Sequence, residues 1–375
     1  MISRVQDSRI KAKLGTGKIA LIFGPRQVGK TTLLKQLEGE LPGTVYLNAD
    51  QPDVQAAMAE KTSTALKAYI GGHPTVMIDE AQRLENAGLT LKLLIDNYPN
   101  MNIIATGSSS FELHDKLQEP LTGRKWEYFL HPLSFAEMVK HHGLIEERRL
   151  LEHRLVYGYY PEVVTTAGNE KSSLTLLTTS YLYKDVLSLE GIKKPRLLQD
   201  LVTALAFQVS QEVSYNELSN HLQADRQTID KYITLLEQSF VVFRLSSLSR
   251  NLRNELKRSR KIYFYDNGVR NTIINNFNPL GLRDDVGRLW ENFLVAERMK
   301  ANHYNGRWCN RYFWRTHTSQ EVDYIEEEGG KLSGFEFKWK EPRTYKVPKA
   351  FSEAYPNSTV ELITQENFES FVKVE

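Results

Sequence analysis

The segment FGPRQVGKTTLL, residues 23–34, constrains this chain more than any other stretch. Gly24-Pro25-Arg26-Gln27-Val28-Gly29-Lys30-Thr31 is a glycine, four residues, then glycine-lysine-threonine, the spacing of a phosphate-cradling loop. Its glycines allow backbone N–H groups to turn toward phosphate oxygens. The apolar KIALIF before it reads as a buried strand, and TTLLKQLEGE after it as an amphipathic helix. That context sets phosphates at a helix N-terminus, where the peptide dipoles favour negative charge. Gly24, Pro25, Arg26, Gln27, Val28, Gly29, Lys30, Thr31 and Thr32 are therefore expected to wrap a nucleotide. Lys30 would reach the β- and γ-phosphates, and the Thr31 hydroxyl would hold Mg2+. The alternative, a chance glycine-rich turn, does not account for both the strand and the helix.

A second segment fits the first. TVMIDEAQRL is an apolar strand ending in Asp79-Glu80, and a parallel sheet presents its ligands at strand ends. Asp79 is expected to orient Mg2+ through its water shell, and Glu80 to polarise an attacking water. TVYLNAD, NIIATGSSS and KWEYFLHPL add three strands. Five strands alternating with helical stretches predict a parallel α/β sheet. Ser108, in ATGSSS, has two open readings: a contact to the γ-phosphate or its water, and a cap for the helical FELHDKLQ.

The chain has 375 residues, room for two or three domains. A net charge of +2 neither demands nor excludes nucleic acid, so a basic surface must be local. A single cysteine, Cys309, excludes an internal disulfide and any multi-cysteine zinc site, and fits a reducing cytoplasm. The polar N-terminus carries no apolar signal core, and no apolar run approaches the roughly 20 residues of a membrane helix. A cytoplasmic protein without a membrane partner is expected.

The stretch SFAEMVKHHGLIEERRLLEHRLVYGYYPEVV reads as helical, ending at Gly158 and Pro161, and is expected to pack as a lid against the nucleotide-binding core. His141 and His142 lack metal-ligand spacing and read as solvated. Downstream, a helix, SYNELSNHLQ, a two-residue turn, RQTIDKYITLLEQSFV and the strand-like VVFRLSSL predict a winged helix over 196–255. Asp225 caps the second helix of the pair, and Arg226, Gln227, Thr228 and Lys231 occupy its first two turns, where a recognition helix meets DNA. Oligomerisation or protein docking is the other use of such a module. Arg250, Arg253, Lys257, Arg258, Arg260 and Lys261 follow, with Glu255 the one acid among them; a solvated face or a phosphate-contacting patch accounts for them.

In the C-terminal third, GRLWENFLVAERMK is a helix with Glu291 in its first turn, followed by strands containing Asp323 and Glu336-Phe337-Lys338. Strand alternation sets Glu336 and Lys338 on one face. Carboxylates that hold Mg2+ beside a scissile phosphate, with a lysine steadying water or developing charge, are the machinery of a metal-dependent nuclease. Glu291, Asp323, Glu336 and Lys338 match the PD-(D/E)xK restriction-endonuclease-like pattern.

GPRQVGKTTLL, IDEAQ, ATGSSS, LTGR, YGYYPEVV, YLYKDVL, KIYFYDNGVR, WENFLVAE and EVDYI…GFEFKW together resemble a bacterial and archaeal family of AAA-type P-loop ATPases. These join a winged helix to a nuclease-like domain of unknown function. The resemblance covers nearly the full length. It implies an α/β fold in four parts: an AAA-type P-loop ATPase core over 1–140, a helical lid or linker over 141–195, the winged helix over 196–255, and an α/β PD-(D/E)xK nuclease-like domain over 256–375. It implies ATP as the nucleotide, with no other small-molecule substrate, and a homo-oligomer, a hexamer in the commonest arrangement. It also gives Arg124 the role of an arginine on the γ-phosphate, often of a neighbouring subunit, with Arg26 and Arg154 as competitors. DNA is the expected partner. Three purposes follow: a DNA-dependent motor or remodeller, an ATP-gated nuclease, and a nucleotide-dependent protein-interaction switch.

Overall fold

The computed structural model describes residues 2–59, 62–108, 121–180, 186, 192, 194–248, 260–316, 318 and 320–375, and for Ser108 the backbone alone. The chain forms two units, residues 1–133 with 238–240 and residues 134–237 with 241–375.

The first unit is built on five strands: β1 (Ile19–Gly24), β2 (Thr44–Asn48), β3 (Thr75–Asp79), β4 (Asn102–Ser108) and β5 (Lys125–Phe129). All neighbours are parallel, in the order β2-β3-β4-β1-β5. A parallel sheet needs crossover helices on both faces, so its central strands read as unbroken apolar runs. Accordingly every residue of β1 (IALIFG) and β3 (TVMID) is buried. One face packs Leu21, Phe23, Val76, Ile78 and Ile103 against Leu91, Leu94 and Ile95 of the helix Ala87–Asn97. β4 separates β1 from β3, so the loop after β1 and the acids after β3 open at the same sheet end, one strand apart.

The second unit carries seven strands in one mixed sheet: β6 (Glu212–Val213), β7 (Val242–Ser247), β8 (Arg260–Phe264), β9 (Asn310–Arg315), β10 (Glu321–Glu328), β11 (Lys331–Phe337) and β12 (Thr359–Ile363), ordered β12-β11-β10-β9-β7-β8-β6. The β10–β11 hairpin turns on Gly329 and Gly330, both at positive φ, 57° and 79°, as a tight two-residue turn requires. β7 lies parallel to β9 through Ser246 and Ser247. The sheet therefore runs without interruption through the boundary expected at 255/256. The 20-residue helix Val286–Asn305 buries Trp290, Leu294 and Met299.

The segment expected to cover the nucleotide-binding core belongs to this second unit. Buried polar side chains tie it there by capturing its backbone groups, which otherwise would be left without water or partner. Glu297 accepts from Phe135 N at 2.8 Å, Asp266 accepts from Tyr159 N at 2.7 Å, and Asn271 donates to Leu155 O and Val156 O at 3.2 and 2.8 Å. Arg154, a candidate phosphate contact on sequence, is 4% exposed and pairs with the fully buried Glu147 at 3.2 Å. A guanidinium so enclosed has no route to a phosphate.

Candidate nucleotide site and the C-terminal carboxylate cluster

The phosphate-loop segment leaves β1 and enters the helix Lys30–Glu40. Two of its positions depend on glycine. A Cβ on Gly24 would stand 2.2 Å from Leu130 O, because the chain leaving β5 closes against it. Gly29 has φ 94° at the helix N-cap. Gln27 also lies in the left-handed region, φ 60°. The Lys30 ammonium is buried and donates to Gly24 O and Pro25 O at 2.9 and 3.0 Å. Arg4, from the turn before the first helix, braces the loop from behind: its guanidinium donates to Val28 O at 2.7 Å and His131 O at 2.6 Å.

Asp79 sits 2% exposed at the end of β3. A buried carboxylate is tolerated when its lone pairs are taken up. Three hydroxyls do so here: Thr31 and Tyr46 each donate to Oδ2 at 2.7 Å, and Thr106 donates to Oδ1. Burial, then Asp79, push the Tyr46 phenol well above its ordinary value, so it remains a donor. Thr106 Oγ1 also accepts from Glu80 N at 3.1 Å. Glu80 has φ 53°, and Gln82 donates to its carboxylate. A non-glycine residue held there costs on the order of 1–3 kcal/mol, and such costs concentrate at functional sites.

The structure thus brings Lys30, Thr31, Asp79 and Glu80 to one end of the sheet. Thr31 and Asp79, already joined, form an oxygen donor set that fits Mg2+. Ser108 lies in register beside Gly24; its side chain is outside the described residues. Thr106, two residues earlier on β4, is the hydroxyl that meets the acidic pair. Arg124 stands apart from these residues. It precedes β5, and its carbonyl accepts from Ile19 N at the start of β1. One strand length, about 20 Å, separates it from the phosphate loop. Its guanidinium donates to Asp96 at 2.5 Å. Tyr46, Thr106 and Arg4 were not singled out on sequence. The first two carried a weak signal, a hydroxyl inside an otherwise apolar strand; Arg4 carried none.

In the second unit, Arg226, Gln227 and Lys231 are exposed on the helix Arg226–Gln238, while Ile229, Tyr232, Ile233 and Leu236 are buried. Thr228, half-buried, donates its N–H and its hydroxyl to the capping Asp225, at 2.8 and 2.6 Å. Arg250, Arg253, Lys257 and Arg258 lie outside the described residues, between β7 and β8. Arg260 is half-buried and ion-pairs with Asp230 at 3.6 Å.

Lys261 requires a correction. It is 4% exposed and cannot serve as a surface phosphate contact. Its ammonium donates to Glu291 at 2.9 Å and stands 3.6 Å from Asp323. Glu291 lies in the second turn of its helix, not the first, because the helix begins at Val286. It also accepts from Tyr263 OH at 2.7 Å. Asp323 accepts from Phe337 N at 2.9 Å. Lys338, one residue beyond the end of β11, donates to Glu336 at 2.7 Å. The four expected residues do converge, but with Lys261 among them. Burial pushes Glu291 up to about 7, with Lys261 opposing the rise and Asp323 adding to it. Burial, then Asp323, push Glu336 up to about 7 as well. Among the described residues no group of three or more His, Cys, Asp or Glu is arranged to hold a metal ion. The residues present do not fit a divalent metal at this place.

Residues 16–139 match the family model of an AAA domain. Residues 148–280 and 286–372 match two domains of unknown function, DUF8612 and DUF4143. The first of these runs across both the helical segment and the helix-turn-helix region. An uncharacterized protein of Mycobacterium tuberculosis is 28% identical over 341 residues, covering 88% of this chain and 72% of its own. One of Haemophilus influenzae is 29% identical, covering 69% of this chain and 70% of its own. One of Methanocaldococcus jannaschii is 24% identical, covering 99% and 87%. Among solved structures, the Walker-type ATPase of Pyrococcus abyssi aligns with a TM-score of 0.49 at 16% identity, over 73% of this chain and 96% of that one. The sheet order, the phosphate loop and the domain match define the class of the first unit: it is an AAA-type P-loop ATPase domain. Among the described residues no helix is long and apolar enough to cross a membrane.

Proposed function

We propose that the chain is a Mg2+-dependent ATP hydrolase that works on DNA through its second unit. The convergence of Lys30, Thr31, Asp79 and Glu80 at one sheet end carries the catalytic part. Thr31 and Asp79 would hold the metal, which supplies charge neutralisation at the β- and γ-phosphates. Lys30 binds the same phosphates once they displace its loop carbonyls. Glu80, its backbone turned by Thr106 and its carboxylate held by Gln82, orients and polarises the attacking water. Phosphate release from ATP by the purified chain tests this, with Lys30→Ala and Glu80→Gln as controls. Hydrolysis by Glu80→Gln at the wild-type rate would remove Glu80 from its role.

The DNA part rests on the second unit's order of elements. The helix Pro195–Phe207, β6, the helix Tyr215–His221, the helix Arg226–Gln238, β7 and β8 follow one another as in a winged helix. β7 and β8 are antiparallel neighbours, and β6 pairs with β8. Exposed Arg226, Gln227 and Lys231 head the helix that would enter a groove. The basic residues Arg250, Arg253, Lys257 and Arg258 fall in the sequence between β7 and β8. ATP turnover by a homo-oligomer, a hexamer in the arrangement usual for AAA-type domains, completes the reading. ATPase rates against single-stranded, duplex and branched DNA test it; rates indifferent to every DNA would favour a nucleotide-dependent protein switch.

A further inference from the structure

We propose that Lys261 is the resident cation of the C-terminal carboxylate cluster: its ammonium takes the place a divalent metal would need, so the second unit binds no Mg2+ and does not cut DNA. The inference concerns the second unit alone and holds whether or not the first hydrolyses ATP.

The geometry carries it. Glu291 comes from the helix Val286–Asn305, Asp323 from β10 and Glu336 from β11. In a metal-dependent nuclease such acids face a common cation with free lone pairs, at the 2.0–2.1 Å that Mg2+ demands. Here one oxygen of each carboxylate already has a donor or an ammonium beside it, and Glu336 Oε2 alone among them is buried without a partner. Lys261 and Tyr263 both donate to Glu291 Oε1. Asp323 Oδ1 faces Lys261 at 3.6 Å, and its Oδ2 accepts from Phe337 N. Glu336 Oε1 accepts from Lys338. Two ammonium groups therefore answer three carboxylates. Losing Lys261 would leave Glu291 and Asp323 without the cation between them, a place that a divalent ion could then fill.

Lys261 also has no easy exit. It projects from β8, a strand three places from β10 in the sheet, and its ammonium lies 5.6 Å over the Phe313 ring. Lys338 is different: its side chain is 44% exposed, able to swing to solvent. Swinging Lys261 away would strand Glu291 and Asp323 in the interior as unpaired carboxylates, a large cost for buried charge. A lysine at the end of β11 alone would be compatible with a nuclease; a second, buried lysine between helix and sheet acids is not.

Mn2+ binding to the full chain decides the matter, read by electron paramagnetic resonance in an Asp79→Asn background that removes the nucleotide site's metal ligand. The parent should show no Mn2+ site that Asp323→Ala abolishes. Lys261→Met should gain a Mn2+ site about tenfold or more tighter than any in the parent, and a further Asp323→Ala should remove it. Mn2+ should raise the Tm of Lys261→Met and leave that of the parent unmoved. A Mn2+ site in the parent that depends on Asp323 overturns the proposal, as does a folded Lys261→Met that gains none. If Lys261→Met does not fold, the parent compared with Asp323→Ala still decides. Supercoiled plasmid supplies the second readout: wild-type chain with Mn2+ should leave it intact, and nicking that vanishes in Asp323→Ala would refute the inference.

Discussion

Asp79 gathers the hydroxyls of Thr31, Tyr46 and Thr106, each from a different element, and through Thr106 it also fixes the Glu80 backbone. This separates binding from turnover. Lys30→Ala should lose nucleotide binding, while Glu80→Gln should bind normally and lose about 10²–10⁴-fold in rate, measured by fluorescent-nucleotide titration beside phosphate release. A second residue-scale expectation concerns pH. Burial and Asp323 raise the Glu336 carboxyl to about 7 from an ordinary 4.5. The folded chain therefore keeps a proton that the unfolded chain has released. Its contribution to stability is complete below the unfolded value and falls as pH rises through about 7. Urea unfolding at pH 5 and pH 8 should show Glu336→Gln losing about 2 kcal/mol less than wild type over that interval.

At the scale of elements, several segments that resemble the AAA-type family turn out to meet one another rather than a ligand. Gly158 and Tyr159 of YGYYPEVV stand against Asp266 of YDNGVR, and Tyr157 against its Gly268; a Cβ on Gly158, at φ 74°, would lie 2.1 Å from Asp266 Oδ1. Asn292 of WENFLVAE accepts from Phe264 N at 2.7 Å and donates to Asn267. These residues hold helices to the sheet of the second unit. Gly158→Ala should destabilise that unit by about 2 kcal/mol or more, seen as a lower Tm, without changing the affinity for ATP. The helix Arg226–Gln238 makes the opposite kind of demand. Its exposed Arg226 and Lys231 contribute little to folding, so Arg226→Glu with Lys231→Glu should leave Tm within about 1 °C while weakening DNA binding. Contacts to phosphate would be lost from every sequence alike, and the salt slope would fall by about one per contact.

For the whole molecule, the position of Arg124 matters most. It lies at the opposite end of the sheet from Lys30, so it cannot touch a nucleotide held by its own phosphate loop. If it contacts phosphate, a second copy supplies the phosphate. Arg124→Ala and Lys30→Ala should each be inactive, by about 10³-fold or more, and mixing the two proteins should restore part of the activity. The mixture supplies sites with an intact loop from one copy and an intact arginine from the other. A mixture as inactive as its parts would argue against a shared site, and light scattering with and without ATP would show whether copies assemble at all.

The phosphate loop and the acidic strand end were legible because each is local: contiguous residues whose spacing is itself the chemistry. So were the five parallel strands, whose unbroken apolar runs reflect a sheet covered on both faces. The cap at Asp225 was legible for the same reason, since a cap needs only its neighbours. Tertiary structure decided the rest. Tyr46 and Thr106 reach Asp79 because β2 and β4 flank β3, a neighbourhood no window of sequence contains. The helical segment after residue 134 belongs with the second unit because Glu297, Asp266 and Asn271, distant in sequence, capture its backbone. Lys261 looked like one more charge in a basic run. Pairing of β8 with β7, and of β7 with β9, carries it inward to two carboxylates, so that its charge is spent inside the fold and not on its surface.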